Sequence, residues 1–305
     1  MAEEKNASAQ RVLRSAREWL RAFSNGSAET DPRRPRVGLA LAGGFARGIA
    51  HIGVLRVFRE AGIPVDMVAG TSVGALIGAA YCSGASLETM ETVASATKFG
   101  DFGRWSPSWL GLATNQRLEQ FLAKFTSTTQ FEDLKTPLAI AATDINAGLP
   151  VYYYRKGPLG PPLRASCAYP GLFAPIQYEG RTLVDGFLTA LVPYEGLLLM
   201  GAEIVIAVYL EPGMSGEPRT FTDILSRSFN VIQKHADLEW RQYVDVVIEP
   251  DVTSFVWDDF SKTRDMIHAG EEAAMKTLPA IRAAMEAKRK PLEEPAEERE
   301  QQGDG

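Results

Sequence analysis

The residues with the clearest chemical meaning form a Gly-x-Ser-x-Gly pentapeptide, Gly70-Thr71-Ser72-Val73-Gly74. An apolar run that is predicted to be a strand precedes it, and a run that is predicted to be a helix follows it. A serine in that context sits on a sharp turn, and the two glycines give the room that the turn needs. The N-terminus of the helix would direct its partial positive charge at the serine oxygen. The pattern therefore predicts that Ser72 is a nucleophile suited to an ester carbonyl, with Gly70 and Gly74 forming the elbow.

A serine nucleophile needs a base that accepts its proton. The chain has three histidines, His51, His235 and His268. Each lies in a predicted helical segment without an evident orienting acid nearby in sequence, and each is expected to be a surface or packing residue. A Ser-His-Asp triad is therefore disfavoured, and the question becomes whether a carboxylate acts directly on the serine.

Asp185 is the strongest carboxylate candidate. It lies in GRTLVDGFLTALVP, after a short predicted strand over 182–184 and before Gly186, so that a mostly apolar segment holds one acid. Burial would raise its pKa and make it a better base than a solvated aspartate. An Asp-Gly turn that ends a strand explains the segment equally well. Asp144, in AATDINAGLP, is the competing acid, and its sequence is more typical of a turn.

A second glycine-rich segment, LALAGGFARGIAHIGVL at residues 39–55, ends one predicted strand and leads into a helix. Adjacent glycines such as Gly43 and Gly44 let the backbone approach another group closely. The bulky Phe45 interrupts the small residues that follow them. The segment thus raises the question of what approaches the backbone here and why a phenylalanine is tolerated.

These candidates depend on alternating strands and helices. A helix over 49–61, which Gly62 and Pro64 close, lies between the first two predicted strands, and strand, helix, strand at this length predicts a βαβ unit and a largely parallel sheet. Residues 99–114 mix Gly, Pro, Phe and two Trp without periodicity and are predicted to be a loop with exposed aromatic residues. The predicted strands are Val37–Ala42, Val65–Ala69, Leu138–Ala142, Val151–Tyr154 and Ile204–Leu210.

Composition narrows the class of protein. The 305 residues are 45% hydrophobic, which suits a globular α/β core, and a net charge of -6 argues against nucleic acid as the main partner. Cys82 and Cys167 are expected to be buried free thiols rather than a disulfide. Two isolated cysteines and three scattered histidines lack zinc-ligand spacing, and no EF-hand loop is present, so the sequence predicts no metal and no cofactor. The N-terminal decapeptide lacks the apolar segment of a secretory signal, which favours a cytoplasmic location.

Three ordered motifs together resemble the patatin-like phospholipase family, which are lipid acyl hydrolases that use a Ser-Asp dyad. They are the glycine-rich segment over 43–48, which ends in Arg-Gly, the elbow over 70–74, and Asp185-Gly186. Three further stretches, GIAHIGVLRVF, SCAYPGLFAPI at 166–176 and DVVIEPDV at 245–252, are similar to bacterial members. The resemblance covers about residues 37–255.

The resemblance implies a patatin-type α/β sandwich, with a mainly parallel central sheet and helices on both faces. It implies that Ser72 is the nucleophile and Asp185 the base of a phospholipase A or lysophospholipase type of esterase that works through an acyl-enzyme. Because the sequence has no metal-ligand spacing and no EF-hand loop, we expect this activity to be independent of calcium. Backbone N–H groups around Gly43, Gly44 and Phe45 would form the oxyanion hole, and Arg47 would anchor the loop or add to its field.

The sequence departs from the family pattern in two places. Glycine usually stands where this chain has Phe45, and the Asp-Gly pair is followed by Phe187 and Ala190 where bacterial relatives often have glycine and asparagine. We predict a negative φ for Phe45 and a ring that lines or narrows the acyl pocket beside Ser72. A positive φ without a donor within reach of Ser72 would favour the alternative, an inactive lipid- or protein-binding regulator with the same fold.

The chain is divided into three parts by these patterns. Residues 1–36 are predicted to hold an amphipathic leader helix and a linker. Residues 37–285 form the predicted catalytic domain with a C-terminal helical extension, and residues 286–305 are so rich in charge that a disordered tail is expected. The sequence makes no prediction of oligomeric state.

An acyl lipid or phospholipid is the expected substrate, and two segments are predicted to contact the inner membrane surface peripherally. The helix over 11–23 places Trp19 and Phe23 on a basic amphipathic surface, with docking onto the protein's own core as the alternative. The loop with Trp105 and Trp109 is either a mobile lid or a packed loop.

A dinucleotide-binding domain is a rival interpretation, but Phe45 stands at the position of the second glycine of its Gly-x-Gly-x-x-Gly fingerprint. Asp66 also begins a strand instead of ending one.

Overall fold

A computed structural model describes residues 33–211, 217–218, 220–236 and 239–290. The predicted leader helix over 11–23 and most of the predicted tail, 291–305, lie outside the described residues. Within them no helix is both long enough and apolar enough to cross a bilayer. The ten strands of the described residues are β1 Val37–Leu41, β2 Met67–Thr71, β3 Arg104–Ser108, β4 Gly111–Thr114, β5 Leu138–Asp144, β6 Leu149–Tyr153, β7 Ile176–Tyr178, β8 Arg181–Asp185, β9 Ile204–Val208 and β10 Val246–Ile248.

Helices connect most of these strands, and short 3₁₀ turns link several of them. The 3₁₀ turns span Phe45–Ile49, Phe99–Asp101, Phe131–Asp133, Trp240–Tyr243 and Phe260–Lys262. The α-helices of the described residues are α1 Ala50–Ala61, α2 Val73–Cys82, α3 Leu87–Ala96, α4 Arg117–Leu122, α5 Gly160–Ser166, α6 Phe187–Ala190, α7 Tyr194–Met200, α8 Phe221–Ala236 and α9 Thr263–Ala287.

The central sheet has the order β10-β9-β1-β2-β5-β8-β7. Strand β6 lies off this path and pairs with the edge of β5 that faces away from β2 and β8. The five strands from β10 to β5 run parallel, whereas β8 is antiparallel to β5 and β7 is antiparallel to β8. The predicted βαβ unit is present, because α1 joins β1 to β2 and ends at Gly62, whose φ of 66° is the left-handed conformation that terminates a helix.

Two strands share one edge of β5 and meet end to end. The last residue of β2, Thr71, lies opposite Ala141, and the last residue of β8, Asp185, lies opposite Ala142. Because β2 runs parallel to β5 and β8 runs antiparallel to it, the carboxyl ends of the two strands meet. The residue after β2 is Ser72, so this topology brings the predicted nucleophile to the predicted base.

Both faces of the sheet carry helices, as the predicted fold class requires. Leu39 and Leu41 of β1 point into a core formed with α1, α2 and α9. Ala40 of the same strand points into a second core formed with α7. The alternation along one strand is the two-residue period of a β-strand, and burial on both faces is typical of a parallel sheet. The protein is therefore an α/β sandwich with a mainly parallel central sheet.

The prediction of a loop over residues 99–114 was wrong. Strands β3 and β4 form an antiparallel hairpin there, with Arg104 opposite Thr114 and Trp105 opposite Ala113. The pairing shifts register after Trp105, next to Pro107, which has no N–H to donate to the ladder. The short, interrupted strands lack the alternating pattern that would have indicated them. The predicted exposure of aromatic residues is confirmed, since Trp105 and Trp109 are 69% and 104% exposed.

Candidate active site

Ser72 lies at the junction of β2 and α2 with φ 54° and ψ -124°, which only a constrained turn imposes on a residue with a side chain. The two glycines that flank it are sterically required. A Cβ on Gly74 would collide with the carbonyl oxygen of Leu41, and a Cβ on Gly70 would collide with the backbone of Ala75. The pentapeptide therefore folds into the strained elbow that its sequence predicted.

The hydroxyl of Ser72 donates a hydrogen bond to Oδ2 of Asp185, with 2.7 Å between the two oxygens. Oδ1 of Asp185 accepts the backbone N–H of Phe187 at 3.0 Å. Both side chains are buried, and Asp185 is 1% exposed. Asp144, the competing acid, instead accepts the N–H groups of Asn146 and Ala147 in an exposed turn.

Burial raises the pKa of Asp185 to about 7, while the hydrogen bonds from Phe187 and Ser72 act in the opposite direction. The desolvated carboxylate is destabilised relative to the neutral acid because no cation pairs with it among the described residues. A carboxylate with such a pKa can both accept and return a proton near neutral pH.

His51 is a packing residue, as expected. Its ring is fully buried, and Nε2 lies 2.9 Å from the carbonyl oxygen of Ala42, next to the glycine-rich loop. Burial lowers the pKa of His51 to about 4, so the ring is neutral near pH 7 and Nε2–H donates to that carbonyl. His268 is exposed beside Glu271 and Glu272. The side chain of His235 lies outside the described residues.

The glycine-rich loop lies against Ser72, because a Cβ built on Gly43 would be 3.3 Å from the Cβ of Ser72. The N–H of Gly43 donates to the carbonyl of Leu191 at 3.3 Å, and the N–H of Ala46 donates to the carbonyl of Trp257 at 2.9 Å. Between them, the N–H groups of Gly44 and Phe45 donate to no acceptor within the described part of the chain. These two amides are the donors that the loop leaves open to a ligand.

Arg47 fixes one peptide of this loop. Its guanidinium is buried and donates from Nε to the carbonyl of Gly44 and from Nη1 to the carbonyl of Glu211, each at 3.4 Å. Burial lowers the pKa of Arg47. Because the C=O and N–H of a trans peptide point in opposite directions, the bond to Gly44 turns the N–H of Phe45 away from Arg47. Arg47 therefore acts on the loop backbone, and no salt bridge pairs it with a carboxylate among the described residues.

The prediction of a negative φ for Phe45 was wrong, because its φ is 52°. A bulky residue in this region costs on the order of 1–3 kcal/mol, so the surroundings must enforce it. The ring of Phe45 makes edge contacts with Tyr169 and Trp257, with centroids 5.0 and 4.9 Å away, and the next residue donates its N–H to Trp257. These contacts offset the local strain. The ring lines a cavity beside Ser72, and that this cavity is the acyl pocket stays a prediction.

Two cavities, each of about 550 Å³, open at Ser72. Ser72 and Phe45 line both of them. The first is almost wholly apolar, and its walls include Leu76, Phe102, Leu118, Phe173 and Phe260. The second is more polar, and its walls include Arg47, Asp185, Ser226, Asn230 and Gln233. The arrangement can hold an apolar chain on one side of the serine and a polar group on the other.

A segment whose role the sequence did not reveal ties the site together. The Oγ of Ser166 accepts the N–H of Ser72 at 2.8 Å, and the carbonyl of Ala168 accepts the N–H of Asp185 at 3.0 Å. Cys167 is a free thiol that lines the apolar cavity, and burial raises its pKa. The similarity of SCAYPGLFAPI to bacterial relatives was the one signal that could have indicated this segment.

A family model described as patatin-like phospholipase matches residues 39–198, which are 160 of the 305 residues. The matched range contains the glycine-rich loop, the elbow, Ser166 and Asp185. A match over more than half of the chain establishes the family. The chain belongs to the patatin-like phospholipase family.

Curated relatives carry related names. A protein of Mycobacterium tuberculosis described as an NTE family protein is 34% identical over 200 residues, which are 63% of this chain and 55% of that protein. Lysophospholipase nte1 of Aspergillus fumigatus is 33% identical over 208 residues, which are 65% of this chain and 13% of that enzyme. The chain thus spans about half the length of the mycobacterial relative and a small part of the fungal one.

The solved structures that match this protein in backbone structure have low sequence identity to it. VipD from Legionella pneumophila is 13% identical, with a TM-score of 0.47 over 83% of this chain and 69% of VipD. Human GIVD cytosolic phospholipase A2 is 11% identical, with a TM-score of 0.43 over 93% of this chain and 64% of that enzyme. The family assignment depends on the family model and not on these two likenesses.

Proposed function

We propose that the protein is a serine lipid acyl hydrolase of the phospholipase A or lysophospholipase type, with Ser72 and Asp185 as its catalytic dyad. The observation that carries the proposal is the 2.7 Å hydrogen bond between Ser72 Oγ and Asp185 Oδ2 in a buried site between an apolar and a polar cavity. Membership of a phospholipase family and the name of the fungal relative support a lipid substrate.

In the proposed first half-reaction, Ser72 Oγ attacks the ester carbonyl carbon while its proton moves to Asp185. The oxyanion that forms would accept hydrogen bonds from the N–H groups of Gly44 and Phe45, and each such donor is worth about 3 kcal/mol of barrier. The N–H of Gly43, which we also predicted as a donor, would first have to leave the carbonyl of Leu191. Asp185 then returns the proton to the leaving alcohol oxygen as the ester C–O bond breaks.

The second half-reaction removes the acyl group from Ser72. A water molecule attacks the acyl-enzyme carbonyl carbon and gives a proton to Asp185. The tetrahedral species collapses, the bond from Ser72 Oγ to the acyl carbon breaks, and Asp185 returns the proton to Ser72. The raised pKa of Asp185, about 7, suits a group that accepts and returns one proton in each half-reaction.

The inactive regulator remains the second candidate function. The positive φ of Phe45 is one of the two conditions that we set for it. The other condition, a lack of donors near Ser72, fits poorly with the open N–H groups of Gly44 and Phe45 on a loop that packs against Ser72. Hydrolysis is therefore the function that the geometry supports better.

Turnover of a p-nitrophenyl acyl ester and of a lysophospholipid tests the proposal. Wild type is expected to hydrolyse both, and Ser72→Ala and Asp185→Asn are expected to abolish the activity. Asp144→Asn is the matched control, because it removes a carboxylate that serves only an exposed turn. Retention of activity in Ser72→Ala, or its absence in wild type on every ester tried, would favour the regulator. Equal rates with and without EGTA would support the predicted independence of calcium.

We also propose peripheral contact with a membrane through the tip of the β3–β4 hairpin. Trp109 and Leu110 are exposed at the tip and Trp105 is exposed on strand β3, and Ala113 of the same hairpin pairs with Phe173, which lines the apolar cavity. A hairpin in this position would bring the cavity close to a lipid surface. Sedimentation with phospholipid vesicles is expected to be weaker for Trp109→Ser than for wild type. Equal sedimentation would argue against this contact.

A further inference from the structure

A third cavity, of about 450 Å³, adjoins the two that open at Ser72. Phe45 and Trp257 line all three cavities, whereas Ser72 lines only the first two. The two rings are in edge contact, with centroids 4.9 Å apart. Tyr169 and Ser226 also line both the second and the third cavity, but the two rings border all three, and we call this ring pair the partition.

The partition is held from both sides. The ring of Phe45 also contacts Tyr169, which stacks on Phe187 with centroids 4.8 Å apart and an interplanar angle of 13°. The backbone carbonyl of Trp257 accepts the N–H of Ala46 at 2.9 Å. Aromatic pairs of this kind are worth about 0.5–1.5 kcal/mol each beyond the area that they bury. The partition is thus a fixed wall of the site.

The cavities on its two sides differ in chemistry. The polar cavity beside Ser72 and Asp185 is lined by the side chains of Ser226, Asn230 and Gln233. Apolar residues, including Pro170, Leu172 and Leu225, line most of the third cavity, which Asp223 and Ser226 also border. Burying apolar surface is favourable by roughly 25 cal/mol per Å². A second long acyl chain on a leaving alcohol would bury more apolar surface in the third cavity than in the polar one.

We propose that the partition of Phe45 and Trp257 selects single-chain acyl esters by closing the third cavity to the leaving group. This inference rests on the proposed hydrolase function. A lipid with two chains places its second chain on the alcohol that leaves, and the partition denies that chain an apolar path from Ser72. A lipid with one chain needs only the apolar cavity for its acyl group and the polar cavity for its alcohol.

The strained backbone conformation of Phe45 supports a functional role for its aromatic ring. A φ of 52° disfavours any residue except glycine, yet this chain carries one of the largest side chains there. Strain of this kind persists where the surroundings enforce it and clusters at ligand sites. Replacement by glycine would relieve the strain, keep the N–H of residue 45 and connect the third cavity to the other two.

The test compares palmitoyl lysophosphatidylcholine with dipalmitoyl phosphatidylcholine, each in the same detergent micelles. Wild type is expected to favour the single-chain lipid by more than about tenfold in kcat/KM, within the range that pocket shape alone supplies. Phe45→Gly is expected to lower that ratio by about tenfold or more, mainly through faster turnover of the two-chain lipid. Phe229→Ala is the matched control, because Phe229 contacts Tyr169 and Phe187 from α8 without lining the three cavities.

Far-UV circular dichroism and thermal unfolding report whether each variant is folded, independently of its activity. If Phe45→Gly does not fold, Phe45→Ala removes the ring while retaining a Cβ and serves in its place. Equal kcat/KM of wild type for both lipids, or an unchanged ratio in the ring-deleted variant, would overturn the selectivity proposed for the partition. Neither result would count against the proposed hydrolase function. Absence of serine-dependent turnover on any ester would overturn both.

Discussion

The hydroxyl oxygen of Ser166 accepts the backbone N–H of Ser72 at 2.8 Å, inside the protein and away from water. Ser72 is thus bound at two points, by its backbone to Ser166 and by its side chain to Asp185. The φ of 54° at Ser72 is costly, and a backbone bond of this kind helps to hold it. Ser166 is a positioning residue of the site.

Ser166→Ala should lower kcat by about ten- to a hundredfold, because displacement of a nucleophile by a fraction of an ångström has effects of this size. KM should change little, since Ser166 lines neither cavity at Ser72. Ser166→Thr keeps the accepting oxygen and should recover part of the loss. Ser83→Ala is the control, because its buried hydroxyl bonds to the carbonyl of Ala80 and it lines neither cavity at Ser72. Equal kcat for the Ala and Thr variants at position 166 would contradict this role.

The rate should depend on pH through Asp185, whose pKa is raised to about 7 by burial. Only the ionised carboxylate accepts the proton of Ser72, so kcat/KM for a p-nitrophenyl ester should rise about tenfold per pH unit well below 7 and level off above it. An esterase profile that is flat from pH 5 to 8, after correction for unfolding, would exclude Asp185 as the base.

Asp185→Asn should stabilise the protein at high pH. The folded state holds the proton up to about pH 7, whereas the unfolded chain releases it near 3.8, so ionisation favours unfolding as pH rises through that window. Asparagine has no such transition. The variant should therefore exceed wild type by a few kcal/mol in free energy of unfolding at pH 8, on a scale of about 1.4 kcal/mol per pKa unit. Urea unfolding at pH 8 and pH 4 measures this, and a difference that is the same at both values would refute it.

Gly74→Ala should destabilise the fold by more than about 3 kcal/mol, because the added Cβ collides with the carbonyl oxygen of Leu41 at the end of β1. Gly100→Ala is the control, since nothing lies within 4 Å of its Cβ position, and a change within about 0.5 kcal/mol is expected. Thermal or urea unfolding of both variants gives the comparison. A stability of Gly74→Ala close to that of Gly100→Ala would show that the elbow can relax.

The elbow and the first βαβ unit followed from sequence because local rules decide them. Gly70, Ser72 and Gly74 define a strand-to-helix turn through steric limits that act within five residues. Gly62 ends α1 through its own left-handed conformation. Helices on both faces of the sheet, in contrast, were implied only by the resemblance to the family.

Other features depend on contacts between distant parts of the chain. The positive φ of Phe45 is enforced by Tyr169 and Trp257, which are far away in sequence. The bond from Ser72 to Ser166 likewise crosses 94 positions. No local pattern signals either contact, so the sequence alone predicted the wrong backbone for Phe45 and left Ser166 without a role.

Because β2 and β8 meet end to end on β5, the geometry of the active site also depends on a turn at the protein surface. The register of β8 is set by its turn with β7, where the exposed Glu179 and Gly180 have φ values of 50° and 72°. A slip of one residue along β5 would point Asp185 to the opposite face of the sheet. An insertion in this remote turn would therefore inactivate Ser72 by moving Asp185 away from it, although the sequence of the active site would be unchanged.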